Sequence, residues 1–229
     1  MTYPPSQPIR SRMFLPPTGL LIAAVITFFF KKEIFLVISE IGVQFGGLVT
    51  FIASYGLLAL AVTAGVLGAI GLVGDRAMLH RLVFGGAGVI TAYLSSEIIK
   101  LLVREERPCR MIDTATAMIC PNTGDWSWPS NHSVIAAAFA TAIALAFPQL
   151  ARFVYPVAAV IALSRVLAGV HYLHDVLSGL ALGVIVVLVV IHLLRRFPGG
   201  SDSTRLRKPE SDPHHPAGEA GKDSSTVPA

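Results

Sequence analysis

The stretch FVYPVAAVIALSRVLAGVHYLHDVLSGLALGVIVVLVVIHLL, Phe153–Leu194, decides the fold. It holds two apolar runs, 153–170 and 176–194, separated by a short polar turn. Each run is close to the roughly 20 residues that a helix needs to cross a bilayer. An open sheet cannot satisfy its backbone in lipid, so each run reads as one membrane-spanning helix. The interruptions are specific: Arg165 lies inside the first run, and His171 and Asp175 lie at the turn.

Working outward, further apolar runs occupy 14–30, 41–74, 82–103 (interrupted by Glu97 and Lys100) and 133–151. The expected fold is therefore all-α, a polytopic bundle of six membrane-spanning helices within 1–197. The run 41–74 is too long for one perpendicular helix, so its first residues, with 34–40, are expected to form an outer connection or to lie in the interface. Composition agrees with this reading. Hydrophobic residues make up 53% of the 229 and charged residues 14%, against roughly 25% charge in an average soluble domain; mean hydropathy is +0.66. The net charge of +4 comes from arginines scattered between apolar runs, not from a basic stripe with interleaved aromatics, which argues against nucleic acid as a partner.

Arg10 and Arg12 precede the first run, Arg76 and Arg81 stand between the second and third, Arg152 between the fourth and fifth, and Arg195 and Arg196 follow the sixth. With six spans these flanks share one face, which the positive-inside rule assigns to the cytoplasm together with both termini. Lys31 and Lys32 oppose that assignment. The first run ends in Phe28-Phe29-Phe30-Lys31-Lys32 without a small-x-small cleavage pattern, so it reads as a retained span. From Pro198 the chain turns to Gly, Ser, Pro, Asp and Lys, and 198–229 is expected to be a disordered cytoplasmic tail in which His214 and His215 are inert. Abundant alanine, glycine and valine with scarce lysine fit a bacterial cytoplasmic membrane; no oligomeric state is read from the chain. Cys109 and Cys120 fall in a loop, 104–132, on the face opposite the termini, where they are either bridged or free thiols. Trp126 and Trp128 read as interfacial anchors or as a lid.

Three clusters carry chemistry: Lys100 with Arg107 and Pro108; Pro129-Ser130-Asn131-His132; and Ser164-Arg165 with His171 and Asp175. Lys100 and Arg107 are two helical turns apart and share a face if the helix continues to Pro108, where it must stop. Glu97 is expected to pair with Lys100 or Arg104. Ser130 stands where a helix N-cap belongs, at a terminus suited to an anion. A guanidinium at Arg165 must be paired or face an aqueous cavity, and its fork suits two phosphate oxygens. His171 and Asp175 are four apart, so the carboxylate can hold one imidazole nitrogen and leave the other free to attack phosphorus. His174 reads as a bystander. Together these residues describe a phosphate site with a nucleophile on the face opposite the termini.

In these residues the chain resembles the type 2 phosphatidic acid phosphatase superfamily, which includes membrane lipid phosphatases and the soluble vanadium haloperoxidases. Lys100, Arg107 and Pro108, then Pro129, Ser130 and His132, then Ser164, Arg165, His171 and Asp175 match its three-part pattern in order and spacing, over roughly 95–195. Asn131 departs from it, standing where the pattern has glycine. The resemblance implies that Lys100, Arg107, Ser130, Asn131, Ser164 and Arg165 hold the phosphate, that His171 becomes phosphorylated, that Asp175 orients it, and that His132 protonates the leaving oxygen. It implies no cofactor and no metal, the cations supplying the positive charge. The expected substrate is a lipid phosphate at the outer membrane face: phosphatidic acid, phosphatidylglycerol phosphate or a polyprenyl diphosphate. Phosphotransfer to a lipid hydroxyl and non-catalytic lipid transport are the alternatives.

Overall fold

The structure, a computed structural model, describes residues 11–74 and 76–196; the proposed tail 198–229 and Arg10 lie outside them. Helices are the only regular secondary structure among the described residues. In chain order the helices are α1 (Leu15–Phe29), α2 (Lys31–Gln44), α3 (Gly46–Gly74), α4 (Arg76–Val103), the single turn α5 (Pro108–Met111), α6 (Asn131–Ala146), α7 (Ala151–Leu167) and α8 (Leu173–Arg196). Four segments are long and apolar enough to cross a membrane: Gly46–Gly74, Met78–Met111, Pro148–Leu167 and Leu173–Leu194. Leu15–Phe29 and Asn131–Ala146 are apolar but shorter. The 41–74 run divides at Phe45: α2 lies before it as a separate helix with Leu36, Val37, Ile41 and Val43 exposed, and α3 begins at Gly46.

Helix α6 is the axis of the fold. Its sequence NHSVIAAAFATAIALA is rich in alanine, so neighbouring backbones come close, and 11 of its 16 residues are buried. One face packs Ala136, Ala140 and Ile143 against Leu60 of α3 and Ala158 and Ile161 of α7. The opposite face packs Val134, Ala138 and Ala142 against Val89 and Ala92 of α4 and Val187 and Ile191 of α8. Lipid tails are as apolar as leucine, so helix association here rests on close van der Waals packing rather than on exclusion of water. Small residues at the crossings allow it. A Cβ on Gly179 would stand 2.8 Å from the Ser130 carbonyl oxygen, and one on Gly183 would collide with the carbonyl of Val134. Thus α8 lies directly against the first turn of α6.

Candidate active site

The ends of α4, α6, α7 and α8 bring the three clusters together, and local sequence explains each placement. Helix α7 closes in a Schellman turn: Val170 N–H donates to Arg165 O (3.3 Å), Gly169 N–H to Val166 O (2.9 Å), and Gly169 takes φ 79°. Glycine tolerates that left-handed position without strain. The turn leaves Arg165 in the last turn of α7 and delivers His171 just beyond it. Asp175, in the first turn of α8, then accepts the Tyr172 backbone N–H at 2.9 Å, as a capping side chain does. Ser130 N–H donates to Asp175 O at 3.1 Å, tying α6 to α8 at this point.

The first cluster converges by a different route from the expected one. Helix α4 ends at Val103 rather than at Pro108. Arg104 adopts φ 53° with its N–H on Lys100 O (2.9 Å), and Arg107 is extended at φ −72°, ψ 145°. The physical reason is the restriction that Pro108 places on the residue before it, together with an early left-handed stop. The chain thus turns back so that Lys100 and Arg107 meet around Asp125. Its Oδ1 lies 3.2 Å from Lys100 Nζ and 2.8 Å from Arg107 Nη2. Arg107 Nε also donates to Asp125 O (2.8 Å), and Nη1 to Val170 O (2.9 Å). Glu97 pairs with neither cation named for it: it accepts from the Asn131 side-chain amide. The other end of that amide accepts from Ser96 Oγ at 2.5 Å. Asn131 therefore links α6 to α4 with its side chain.

Arg107 Nη1 lies 2.9 Å from His171 Nε2. A guanidinium only donates, so Nε2 accepts and the ring proton sits on Nδ1, 3.3 Å from Asp175 Oδ2. This fixes a neutral tautomer whose Nε2 lone pair faces the cations. Burial pushes His171 down to about 4, against its hydrogen bond to the Asp175 carboxylate, which acts to raise it; the charges of Arg107 and Arg165 lower it further. Asp175 Oδ2 is held in turn by Ser127 Oγ at 2.5 Å. His132 lies within electrostatic reach of Arg165, His171, Arg107 and Lys100.

Lys100, Arg107 and Arg165 are all at least 95% buried. Arg165 contacts Met118 Sδ through Nη1 (3.7 Å), and its Nε has no hydrogen-bond partner among the described residues. Ser130 Oγ is likewise buried and unpartnered; the serine occupies the N-cap position but makes no side-chain capping bond. A buried donor left unpaired is costly unless an anion fills the space. Ser164 differs: its hydroxyl donates back to Ile161 O at 2.7 Å, inside α7.

Sequence reasoning missed Asp125, Ser127 and Glu105. The His174 ring is no bystander, because its Nε2 lies 3.0 Å from Asp175 Oδ1 and 3.1 Å from Glu105 Oε2. Glu105, His174 and Asp175 bring their potential ligand atoms within 4.8 Å of one another, and Lys31 Nζ supplies a positive charge to that group at 2.7 Å from Glu105 Oε1. Cys109 and Cys120 are bridged, with Cα atoms 5.8 Å apart, anchoring the loop that carries Asp125. Trp128 lines an apolar groove with Leu21, Val25, Phe28 and Val103, and His174 stands at its wall.

Residues 81–198 match the family model of the PAP2 superfamily. Decaprenylphosphoryl-5-phosphoribose phosphatase of Mycobacterium tuberculosis is 38% identical over 127 residues, covering 55% of this chain and 66% of that protein. Lipid A 1-phosphatase of Rhizobium johnstonii is 33% identical over 98 residues, 42% of this chain and 40% of that protein. The matched stretches thus span less than two thirds of these relatives. A transmembrane PAP2-type phosphatidylglycerolphosphate phosphatase from Bacillus subtilis shares the fold, with a TM-score of 0.54 at 22% identity over 79% of this chain and 96% of that one. With three clusters gathered at one end of a helical bundle and a family model matched over half its length, the chain belongs to the PAP2 superfamily.

Proposed function

We propose that the chain is an integral-membrane lipid phosphatase that hydrolyses phosphate monoesters or diphosphates of lipids through a phosphohistidine on His171. The observation that carries this reading is the His171 tautomer, with Nδ1–H toward Asp175 and the Nε2 lone pair facing the Arg107 guanidinium. Lys100, Arg107 and Arg165 hold the phosphoryl oxygens and stabilise the charge that builds in the transition state. Nε2 attacks phosphorus as the bond to the lipid oxygen breaks, and His132 gives that oxygen its proton. Water then attacks the phosphohistidine, His132 takes the water proton, the N–P bond breaks and inorganic phosphate leaves. Ser130 Oγ and the Asn131 N–H complete the cradle. The positive charge of three buried side chains serves in place of a metal.

The relatives named above act on lipid phosphates, which supports a lipid substrate. The apolar groove at Trp128 and His174 offers a seat for its hydrocarbon chain. In this reading the bundle has six spans, with α1 and α6 as short ones; that count sets the arginine-rich flanks and both termini on one face, which the positive-inside rule makes cytoplasmic, with the site on the extracytoplasmic face. The test is phosphate release by purified protein from phosphatidic acid, phosphatidylglycerol phosphate and polyprenyl diphosphate, with chelator present and His171→Ala alongside. Release by the parent and none by the variant is expected. Equal release by both, or strict dependence on an added divalent ion, contradicts the reading.

A further inference from the structure

The two cations of the first cluster are already occupied by an anion from the chain itself. Asp125 Oδ1 bridges Lys100 Nζ (3.2 Å) and Arg107 Nη2 (2.8 Å), as one oxygen of a bound phosphate would. We propose that Asp125 is the resident anion of the phosphate site, displaced by substrate, and that it selects phosphate monoesters and diphosphates over the phosphodiester headgroups of the surrounding bilayer. The inference rests on the phosphatase reading above for the identity of the anion that displaces it.

The argument is one of charge. Arg107 and Lys100 are 97% and 95% buried, while the Asp125 side chain is about half exposed, so the carboxylate sits at the mouth of the site rather than in its floor. Its loop is tethered at one end by the Cys109–Cys120 bridge, and Gly124 beside it takes φ 91°. Burial acts to raise the Asp125 carboxyl, yet Arg107 and Lys100 together hold it below the usual carboxylate range; it is an anion at neutral pH. A phosphodiester carries one charge. Exchanging it for Asp125 gains no Coulomb energy at these two cations, and the charge-assisted bonds it forms to Lys100 and Arg107 only replace those that Asp125 gives up. A phosphate monoester carries nearly two charges at neutral pH, and a diphosphate more, so these exchange with a net gain. Diester lipids outnumber any substrate in a membrane, and three unoccupied buried cations would collect them. A competing internal carboxylate is a repulsive element against the wrong ligand.

The test uses binding, so it does not depend on turnover. Inorganic phosphate is titrated calorimetrically into the full chain in nanodiscs of phosphatidylcholine, then in discs containing phosphatidylglycerol. Asp125→Asn should bind phosphate about tenfold tighter than the parent, the equivalent of one charge-assisted hydrogen bond no longer competing. Phosphatidylglycerol should weaken phosphate binding to the variant and leave the parent unaffected. Asp125→Ser should behave as Asp125→Asn does, and Asp125→Glu as the parent. Phosphate binding that is unchanged or weaker in both neutral variants would overturn the proposal, since Asp125 would then be a fixed support for the two cations. Equal competition by phosphatidylglycerol in parent and variant would overturn the selectivity. A parent that binds phosphate but releases none from any lipid would count against the phosphatase reading alone.

Discussion

Ser127→Ala removes one hydroxyl and should move the acid limb of the pH profile. Ser127 is fully buried, its Oγ donating to Asp175 Oδ2 at 2.5 Å and lying 3.3 Å from His171 Nδ1. The same Asp175 oxygen serves the His171 ring, so the serine draws off part of the charge that would otherwise favour an imidazolium. In the parent, His171 sits at about 4, and kcat/KM should fall as pH drops through that value because a protonated Nε2 has no lone pair to attack with. A hydrogen bond to a charged group contributes about 1.5–3 kcal/mol. Returned to the His171–Asp175 pair at roughly 1.4 kcal/mol per pH unit, that raises the limb by one to two units, to about pH 5–6. The assay is kcat/KM against pH for phosphate release, with thermal unfolding as a control for folding. A variant that is folded, active on the plateau and unshifted in its acid limb would refute the claim that Ser127 tunes the pair through Asp175.

Four further outcomes follow from the same geometry. Asp175→Asn should reduce kcat by about a thousandfold or more while phosphate still binds, because the tautomer is lost and the cation cradle is not; calorimetry beside kinetics separates the two. Arg107→Lys should be poorly active despite its charge, since one ammonium cannot replace a fork that spans Asp125, Val170 O and His171 Nε2; kcat/KM for the variant reads this. Gly183→Val should lower the thermal midpoint by forcing α8 off the Val134 carbonyl, with loss of activity because Ser130 and Asp175 separate. Reduction of the Cys109–Cys120 bridge should destabilise the protein by about 2–3 kcal/mol on the chain-entropy account, read as a lower unfolding midpoint.

Much of this was legible in the chain. The apolar runs at 82–103, 153–170 and 176–194 match α4, α7 and α8 to within a few residues at most ends, because lipid leaves the backbone no alternative to a helix. The pairing of His171 with Asp175 could be read from their spacing. What could not be read came from the loop 112–130. Asp125 and Ser127 are 18 and 48 residues in sequence from Arg107 and Asp175, the groups they contact, and no periodicity links them. The condition that would set Lys100 and Arg107 on one helical face, a helix continued to Pro108, is not met: α4 ends at Val103, and Arg104 turns the chain through a left-handed backbone that no glycine announces. Asn131 stands where the family pattern has glycine, and nothing in the chain announces that it starts α6 and spends its amide on Ser96 and Glu97.

The central claim is a covalent one, and trapping the intermediate tests it most directly. Purified protein is mixed with phosphate-labelled lipid substrate, quenched in alkali within the turnover time, digested and analysed by mass spectrometry. The account predicts an acid-labile, alkali-stable phosphate on the peptide containing His171, absent from His171→Ala. Turnover of the same substrate with no label on His171, or with label on another residue, would contradict it.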